Sequence, residues 1–458
     1  MARMTSRIGL GTLGLLTGLG APHLAAQTWG LPASDPVGIA RSGAGVAYGQ
    51  SLEAAALNPA LLATLRDNTT VFLAAGMELQ SSQETLQANQ AARFSTDRNR
   101  FLPSFGAAWR LNPSLVLGLK LDDPFMRHAR MPLELTSRFQ GQAIDLKTQR
   151  LEVQAGWAWS PKFSVGVSLG VTRVNYAWEN SVRVLVPADP AAKVSPTNPS
   201  QGLMELGLRQ EGNKLAPSYS VGFRWALSPR WTVGGAYVGS ITAKVPLTAS
   251  YTATEPSYYD NATGYGTSQP ASQYGPALKA LSRVQAGDGS LTLPGKATLG
   301  VRQRFNQLFT WEVDVRYVLG SAMALPGNPT LLGPGAPVAG PPQDGDFRSG
   351  FGGSFMGELT LGPKWTARMG VALDSALRTD ATVDPVRGGA KGAAFSGGFG
   401  YRVWGGELNV GYQYRQSQDR DSVNLDGSWS ASGYRTTGST TRVEGMGHLW
   451  SVGFKKAF

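Results

Sequence analysis

Few residues in this chain could carry out chemistry, and their spacing matches no catalytic pattern. The sequence has three histidines and no cysteine, so it offers no cluster of cysteine and histidine ligands for a metal ion. His128 falls in a predicted loop, and His448 shares a period of two with Trp450, which predicts that it faces outward. A hydrolase would need a histidine beside a nucleophile or a carboxylate. We therefore expect no enzyme activity, no metal site and no cofactor.

The other reactive side chains are charged residues that alternate with apolar ones. Apolar residues fill every second position of two representative segments, which are Phe163, Val165, Val167, Leu169 and Val171 in the first and Phe309, Trp311, Val313, Val315, Tyr317 and Leu319 in the second. Serine and glycine lie between them in the first segment, and Thr310, Glu312, Asp314 and Arg316 lie between them in the second. A period of two predicts β-strands with one apolar and one polar face.

Charged faces cannot cheaply point into lipid, so in a membrane barrel they must line the interior. The charged residues assigned to that face are Arg110, Lys120, Glu152, Arg224, Arg302, Arg304, Glu312, Asp314, Arg316, Glu358, Arg368, Arg402 and Glu407. One interpretation is a network of charge pairs that braces the barrel. The other is that one or two unpaired cations receive a substrate carboxylate. Our candidates for that role are Lys120 and Arg316, which lie further from the predicted turns than Arg110 or Arg304.

Tight turns must join these strands at one end of the fold. Bends set by proline recur at Asn112-Pro113, Ser160-Pro161, Ser228-Pro229 and Gly362-Pro363, and looser versions follow Phe305 and Trp404. At the other end the connections are longer and polar, the largest being 178–214 and 244–293. This asymmetry is typical of outer-membrane barrels, and the turns predict about 14 antiparallel strands.

Aromatic residues support a membrane barrel over a soluble β-sandwich, which would place its apolar faces inward. Eight tryptophans lie near the short turns, and they are Trp109, Trp157, Trp159, Trp225, Trp231, Trp311, Trp365 and Trp404. They predict an aromatic belt at one membrane interface. The chain ends with Trp450, Val452, Phe454 and Phe458 at period two, although Lys456 interrupts the apolar pattern. This ending resembles the terminal signal that the barrel-assembly machinery reads, so we expect that partner during biogenesis.

The first residues resemble a secretion signal. Arg3 and Arg7 precede an apolar run from 8 to 19, and small residues follow at Ala25-Ala26. The run is shorter than the roughly 20 residues of a transmembrane helix, so residues 1–26 are predicted to be a signal peptide. The net charge is +11, but no basic tract with interleaved aromatic residues is present, so we expect no nucleic-acid partner.

A segment rich in glycine and alanine, residues 42–62, follows the predicted signal and precedes the first alternating strand. It resembles the N-terminal hatch of the FadL/TodX family, outer-membrane transporters of long-chain fatty acids and other hydrophobic compounds. The matching residues are Gly43, Gly45, Ala47, Tyr48, Ala54, Ala55, Asn58, Pro59, Ala60, Leu61 and Leu62. We therefore predict a plug at 27–67 inside an all-β transmembrane barrel formed by 68–458. A flexible linker is the alternative for this segment.

The third predicted strand, 115–121, ends in Asp122-Asp123-Pro124-Phe125. This resembles the Pro-Phe-Gly segment that follows the corresponding strand in the family, although Met126 stands in place of the glycine. The resemblance implies a strand that bends inward and opens a lateral gap. We assign Gly118, Asp122 and Pro124 to that opening and Phe125 to the substrate path.

Two large connections carry apolar residues at spacings compatible with short amphipathic helices. They are Leu203, Met204, Leu206 and Leu208 in one, and Ala277, Leu278, Leu281 and Val284 in the other. The resemblance implies a groove there that first captures a hydrophobic substrate, whereas the alternative is that these residues pack on one another.

The sequence as a whole predicts a monomer in the bacterial outer membrane, surrounded by outer-membrane lipid, that passes hydrophobic molecules inward without consuming energy. Two alternatives stay open, a general or substrate-specific porin and a structural or secretion-associated barrel. Deletion of the plug separates the transporter from the porin, because only a transporter would become newly permeable to small polar solutes.

Overall fold

The computed structural model describes residues 34–48, 52–86, 93–95, 98–130, 141–187, 201–253, 285–325, 347–378, 391–423, 427–430, 433–436 and 440–458. The predicted signal peptide, the first residues of the predicted plug, and Leu278 and Leu281 lie outside these ranges.

Antiparallel strands form most of the described chain. They are β1 (Thr69–Leu86), β2 (Arg93–Ser95), β3 (Arg98–Asn112), β4 (Leu115–Asp122), β5 (Met126–Arg130), β6 (Ala143–Ala158), β7 (Phe163–Pro187), β8 (Gln201–Ala226), β9 (Trp231–Val238), β10 (Ile241–Ala253), β11 (Gln285–Leu293), β12 (Lys296–Arg304), β13 (Phe309–Val318), β14 (Gly350–Leu361), β15 (Trp365–Asp374), β16 (Gly392–Val403), β17 (Gly406–Val423), β18 (Gly427–Ser430), β19 (Gly433–Thr436) and β20 (Thr440–Ala457).

These segments close into a barrel of fourteen strands. Four strands are each built from two consecutive segments, namely β2 with β3, β4 with β5, β9 with β10 and β11 with β12. β1 pairs with β20 along seventeen residues, which joins the first strand to the last. β18 and β19 form a separate hairpin. The predicted fold class and strand number are therefore confirmed.

The two faces of the strands are assigned as predicted. On β13, Glu312 and Asp314 are fully buried, whereas Val313 and Val315 on the opposite face are exposed. β7 alternates in the same way. Since charged residues line the interior and apolar ones cover the outside, the barrel suits a lipid environment rather than water. Among the described residues, no helix is long and apolar enough to cross a membrane.

Two local predictions are wrong. Leu203, Met204, Leu206 and Leu208 lie in β8, not in a helix, because β8 continues pairing with β7 as far as Gln201 and Pro187. Much of the connection predicted at 178–214 is therefore a β-hairpin, in which the ladder satisfies the backbone hydrogen bonds. His128 lies in β5 and not in a loop, and its ring is 3.6 Å from the Asp145 carboxylate.

Residues 34–48 and 52–65 lie together inside the barrel, and we refer to them as the plug. It contains α1 (Pro36–Ala40), α2 (Leu52–Ala55) and a 3-10 helix (Pro59–Thr64). Asp35 caps α1 by accepting a hydrogen bond from the Gly38 amide at 2.7 Å. α1 contacts β15, β16, β17 and β20, whereas the 3-10 helix contacts β4, β6, β7 and β8 across the barrel. The plug therefore touches opposite sides of the lumen wall.

Inward-facing glycines let the wall and the plug meet backbone to backbone. A Cβ atom placed on any of these glycines would lie 2.0 to 2.7 Å from a plug atom: Gly156, Gly166, Gly222, Gly234, Gly300, Gly370, Gly398 and Gly411. Contacts that short are sterically forbidden, so only glycine fits at these positions.

The exposed tryptophans near the short turns generate a test of the membrane registration. In variants that keep one of the twelve tryptophans, we expect brominated lipids to quench Trp109, Trp225 or Trp365 at headgroup depth, because indole rings favour the interface. Trp178 is the matched control, since it is buried inside the barrel and should not be quenched. Scattered depths for the exposed tryptophans would contradict a single aromatic belt.

Candidate functional site

Backbone amides of the plug bind two carboxylates on β13. The Gly45 and Val46 amides donate to Asp314 Oδ2 at 2.9 and 3.2 Å, and the Ala47 amide donates to Glu312 Oε1 at 2.7 Å. Gly43 and Gly45 have φ values of 75° and 146°, which turn consecutive amides toward one side. The glycines of the family motif thus create an anion-binding concavity that the barrel itself occupies.

A third carboxylate, Glu358 on β14, is held by the plug from two sides. Arg41 donates to Glu358 Oε2 at 2.6 Å, and the Tyr48 hydroxyl donates to Glu358 Oε1. The Arg41 guanidinium also stacks on the Tyr48 ring, with 3.6 Å between its central carbon and the ring centroid. Arg368 on β15 donates to the same carboxylate at 2.8 Å. Charge-assisted contacts of this kind are among the strongest hydrogen bonds in proteins.

The charge network continues around the wall and returns to the plug. Arg368 pairs with Glu407 at 2.9 Å, and Glu407 lies 3.3 Å from Lys455 on β20. Lys455 in turn lies 3.6 Å from Glu53 in α2. This chain of alternating charges connects the plug to three strands, so the interpretation of luminal charges as a bracing network holds for these residues.

Asn58 joins the two halves of the plug to the wall. Its Nδ2 group donates to the carbonyl oxygens of Val46 at 2.8 Å and Phe223 at 2.9 Å, and its Oδ1 accepts from the Ala60 amide at 3.0 Å. Pro59 occupies the first position of the 3-10 helix that Asn58 caps. The barrel partner of Asn58 is therefore a backbone carbonyl and not a charged side chain.

A cavity with an empty volume of about 1540 Å³ lies beside the plug. Its apolar lining includes Leu57 of the plug, Phe72, Phe125, Val238 and Leu377. The lining also includes the residues 122–125 that interrupt the third strand. Its apolar side chains suit a hydrophobic small molecule, and charged side chains form the rest of the lining.

Asp35 of the plug also lines this cavity. Burial, followed by the nearby charge of Glu53, raises the pKa of the Asp35 carboxyl to about 6. A negative charge at this end of α1 is therefore less favourable than on the surface.

An apolar cluster fills the barrel interior at the end with the long connections. Its buried members include Ile144, Leu146, Val174, Tyr176, Trp178, Ile241, Val245, Leu291, Leu293 and Met323, and Phe125 packs against it. Sequence reasoning assigned apolar residues to the outside and missed this cluster. The alternation could have revealed it, because Val174, Tyr176 and Trp178 lie on β7 an even number of residues after Ser164 and Ser168, which face inward.

Lys120 and Arg316 line the cavity, as predicted for the substrate path, but both have partners. Lys120 Nζ lies 3.1 Å from Asp122 and 3.4 Å from Glu152, and Arg316 pairs with Asp374 at 2.9 Å. The hypothesis that these two cations are unpaired is wrong, because Asp122 on the same strand and Glu152 on β6 neutralise Lys120, and Asp374 on β15 neutralises Arg316.

Lys296 is the cavity cation that sequence reasoning missed. Of the basic residues lining the cavity within the described ranges, it alone has no carboxylate within 4 Å, since Arg150 and Arg415 are paired with Asp122 and Glu78. Lys296 lies on the same strand as the inward-facing Arg302, an even number of residues away. The alternation of faces could therefore have predicted that Lys296 points inward.

The third strand is interrupted where the resemblance predicts. β4 ends at Asp122 and β5 begins at Met126, and Pro124, between them, has no amide hydrogen to donate to a neighbouring strand. In the described part of the chain, β5 pairs with β6 alone, so no ladder joins it to residues 98–104 of β3. Met126 packs in the same buried cluster as Leu102, Ile39 of the plug and Leu449.

Gly118 does not belong to this interruption. It pairs with Ala108 on one side and Gln154 on the other, so the wall is closed there. A Cβ at this position would lie 3.0 Å from Leu62 of the plug. The assignment of Gly118 to a lateral opening is therefore wrong, because its missing side chain makes room for the plug instead.

Comparison with known proteins gives one family and several structures of the same fold. Residues 24–458 match the family model described as outer membrane protein transport protein (OMPP1/FadL/TodX). A crystal structure of a Pseudomonas aeruginosa FadL homologue is 18% identical, with a TM-score of 0.72 over 95% of this chain and 100% of that chain. The P. putida toluene transporter TodX is 14% identical, with a TM-score of 0.62 over 93% and 99%. The Ralstonia pickettii toluene transporter TbuX is 15% identical, with a TM-score of 0.57 over 93% and 99%. A search among curated proteins found no match.

Asn58→Ala tests the attachment of the plug. Losing a buried amide that makes three hydrogen bonds should cost about 1–3 kcal/mol, which corresponds to a roughly 5- to 150-fold larger open population. Planar-bilayer recordings should show more frequent openings, while heat-modifiable mobility on gels stays unchanged.

Gly222→Ala should act similarly, because a Cβ there would lie 2.0 Å from Asn58 Oδ1. Gly353→Ala is the matched control, because its Cβ would approach other atoms no closer than 3.8 Å. Equal opening frequencies in all three variants would contradict a role of Asn58 in holding the plug.

Proposed function

Because this chain belongs to the OMPP1/FadL/TodX family of outer-membrane transport proteins, we propose that it takes up long-chain fatty acids or similar amphipathic compounds and releases them sideways into the bilayer. The family consists of outer-membrane barrels that carry hydrophobic compounds, and its members are not enzymes. The proposal goes further in naming the substrate class and the exit.

The observation that carries the proposal is the continuity of the cavity with the interrupted third strand. Apolar side chains surround most of the cavity, and Pro124 and Phe125 form part of its wall. An uncharged aromatic molecule would need the apolar lining alone. Lys296 adds an amine without a carboxylate partner in the described chain, which favours a substrate with an acid group at one end.

Energetics favour a sideways exit for such a substrate. A long acyl chain gains about 0.8 kcal/mol per buried CH₂ group, so its release into periplasmic water would cost more than about 10 kcal/mol. Passage into the hydrocarbon region avoids that cost. It requires a place where the strand ladder is open and where the unpaired backbone lines a cavity. Asp123 and Pro124 support such a place, because they line the cavity and lie outside the strands. Phe125 is held to Thr148 of β6 by its amide and its carbonyl. Met126 stands at the edge of this opening and would have to move.

The remaining assignments complete this proposal. We infer a signal peptide at 1–26, a plug at 27–67 that blocks small polar solutes, and a monomeric barrel at 68–458 inserted by the barrel-assembly machinery. Substrate capture by the long connections, including Leu278 and Leu281, stays a prediction.

Lys296→Met tests the substrate class. Loss of a charged hydrogen bond worth about 1.5–3 kcal/mol should weaken binding of a long-chain fatty acid roughly 10- to 150-fold, while binding of the matching long-chain alcohol should change little. Both ligands would be titrated into protein held in lipid nanodiscs. Lys162→Met, in an exposed turn, is the control. Equal losses for the acid and the alcohol would refute a carboxylate site at Lys296.

A cysteine pair tests the exit, in a chain with no native cysteine to interfere. Leu102→Cys combined with Met126→Cys, joined by a short bifunctional reagent, should block most delivery of a labelled fatty acid to the membrane. A pair at Val301 and Val313, which face each other across an intact ladder, is the control. Unchanged delivery by the joined protein would favour passage along the axis past the plug, while leaving fatty-acid binding itself untouched.

A further inference from the structure

A second cavity opens at the short-turn end of the barrel, on the far side of the plug. It holds about 1120 Å³ of empty space between the end of the plug and the turns that follow β6 and β8. Five arginines line it, namely Arg66, Arg224, Arg230, Arg302 and Arg304. Among the described residues that line it, none is acidic. We refer to it as the arginine pocket.

The guanidinium groups of the arginine pocket form no salt bridge with a described residue. None of the five has a carboxylate within 4 Å in the described part of the chain, and the Nε atoms of Arg224 and Arg302 are buried without a hydrogen-bond partner. Glu312 lies opposite Arg302 on the neighbouring strand, but it accepts the Ala47 amide of the plug at 2.7 Å. Arg224 and Arg302 are half-buried, and Arg66, Arg230 and Arg304 are exposed. Because five positive charges repel one another around this space, a bound anion would be stabilised here.

The arrangement of the arginines indicates the shape of that anion. Arg224 lies on β8 and Arg302 on β12, the two strands that flank β9, and they pair with Gly234 and Thr232 of β9. Two strand spacings and two residues along the strand separate their backbones by about 12 Å, so their long side chains can converge on one ligand. Arg304 and Arg230 approach from the rim, where the Arg304 amide donates to the Arg230 carbonyl at 2.8 Å. A tetrahedral oxyanion offers acceptor oxygens to guanidinium groups from several directions, whereas a planar carboxylate offers two.

We propose that the arginine pocket is a binding site for a soluble phosphate-type oxyanion at the periplasmic mouth, separate from the hydrophobic cavity. The pocket lies inside the wall and opens along the barrel axis, so a lipid headgroup in the surrounding leaflet is separated from it by the strands. The site also touches the plug, since the Arg302 guanidinium lies 4.4 Å from the centroid of the Tyr48 ring. This inference does not depend on which hydrophobic compound the barrel carries.

Titration of inorganic phosphate into protein in phosphatidylcholine nanodiscs, at constant ionic strength, tests the site. We expect saturable binding that Arg224→Gln and Arg304→Gln each weaken roughly tenfold or more, as expected for charged hydrogen bonds. Arg224→Lys should lose affinity too, because lysine keeps the positive charge but lacks the planar guanidinium that donates two parallel hydrogen bonds. Arg402→Gln is the matched control, since this exposed arginine at the same end donates to the Pro363 carbonyl and does not line the pocket.

Heat-modifiable mobility on gels would show that each variant folds. Phosphate binding that is absent in the native protein, or equally weakened by Arg402→Gln, would overturn the proposal. A second arm uses nanodiscs containing phosphatidylglycerol. Undiminished phosphate binding there supports a soluble ligand, whereas its loss in the native protein would overturn that assignment in favour of a lipid headgroup.

Discussion

The structure depends on one constraint, which is that a polypeptide enclosed by a barrel must satisfy its backbone polar groups without bulk water. The amides at Gly45, Val46 and Ala47 meet this constraint through Asp314 and Glu312. These carboxylates must in turn lie deep in the lumen, where burial would penalise them without such donors. The inward glycines follow from the same requirement, because side chains would hold the wall away from the plug. The plug and the wall therefore specify each other.

The wall could be predicted from sequence because its signals are local. Alternation along 309–317 assigned both faces of β13, and the six short turns, four of them with proline, gave the correct strand number. Ion pairing could not be predicted in this way, because Arg316 pairs with Asp374 and Lys120 pairs with Glu152 on other strands. The alternation within one segment does not show which residues of other strands lie beside it. The expected helix at Leu203 failed for a related reason. Its apolar residues fitted two periods, and pairing with β7 selected the strand.

The interior changes character along the barrel axis. An apolar cluster around Trp178 fills the end with the long connections, and the mixed cavity with Lys296 follows. The plug comes next, and the arginine pocket is the final space. Each layer is formed by inward-facing side chains at a different height along the barrel. The character of the interior therefore depends on those side chains and not on the fold itself. This explains how relatives with 14 to 18% identity share the architecture, since the wall needs only alternation and turns.

The ion pair between Glu53 and Lys455 also constrains the order of assembly. Lys455 belongs to β20, the strand that closes the barrel against β1, and Ser451 of the same strand donates to the Ser34 carbonyl at 3.4 Å. The plug is synthesised early, whereas its partners Ser451 and Lys455 on β20 are synthesised last. Contacts between such distant parts of a chain form late and slowly. The contacts of Ser34 and Glu53 therefore cannot form before β20 is in place, so this part of the plug is secured only when the wall closes.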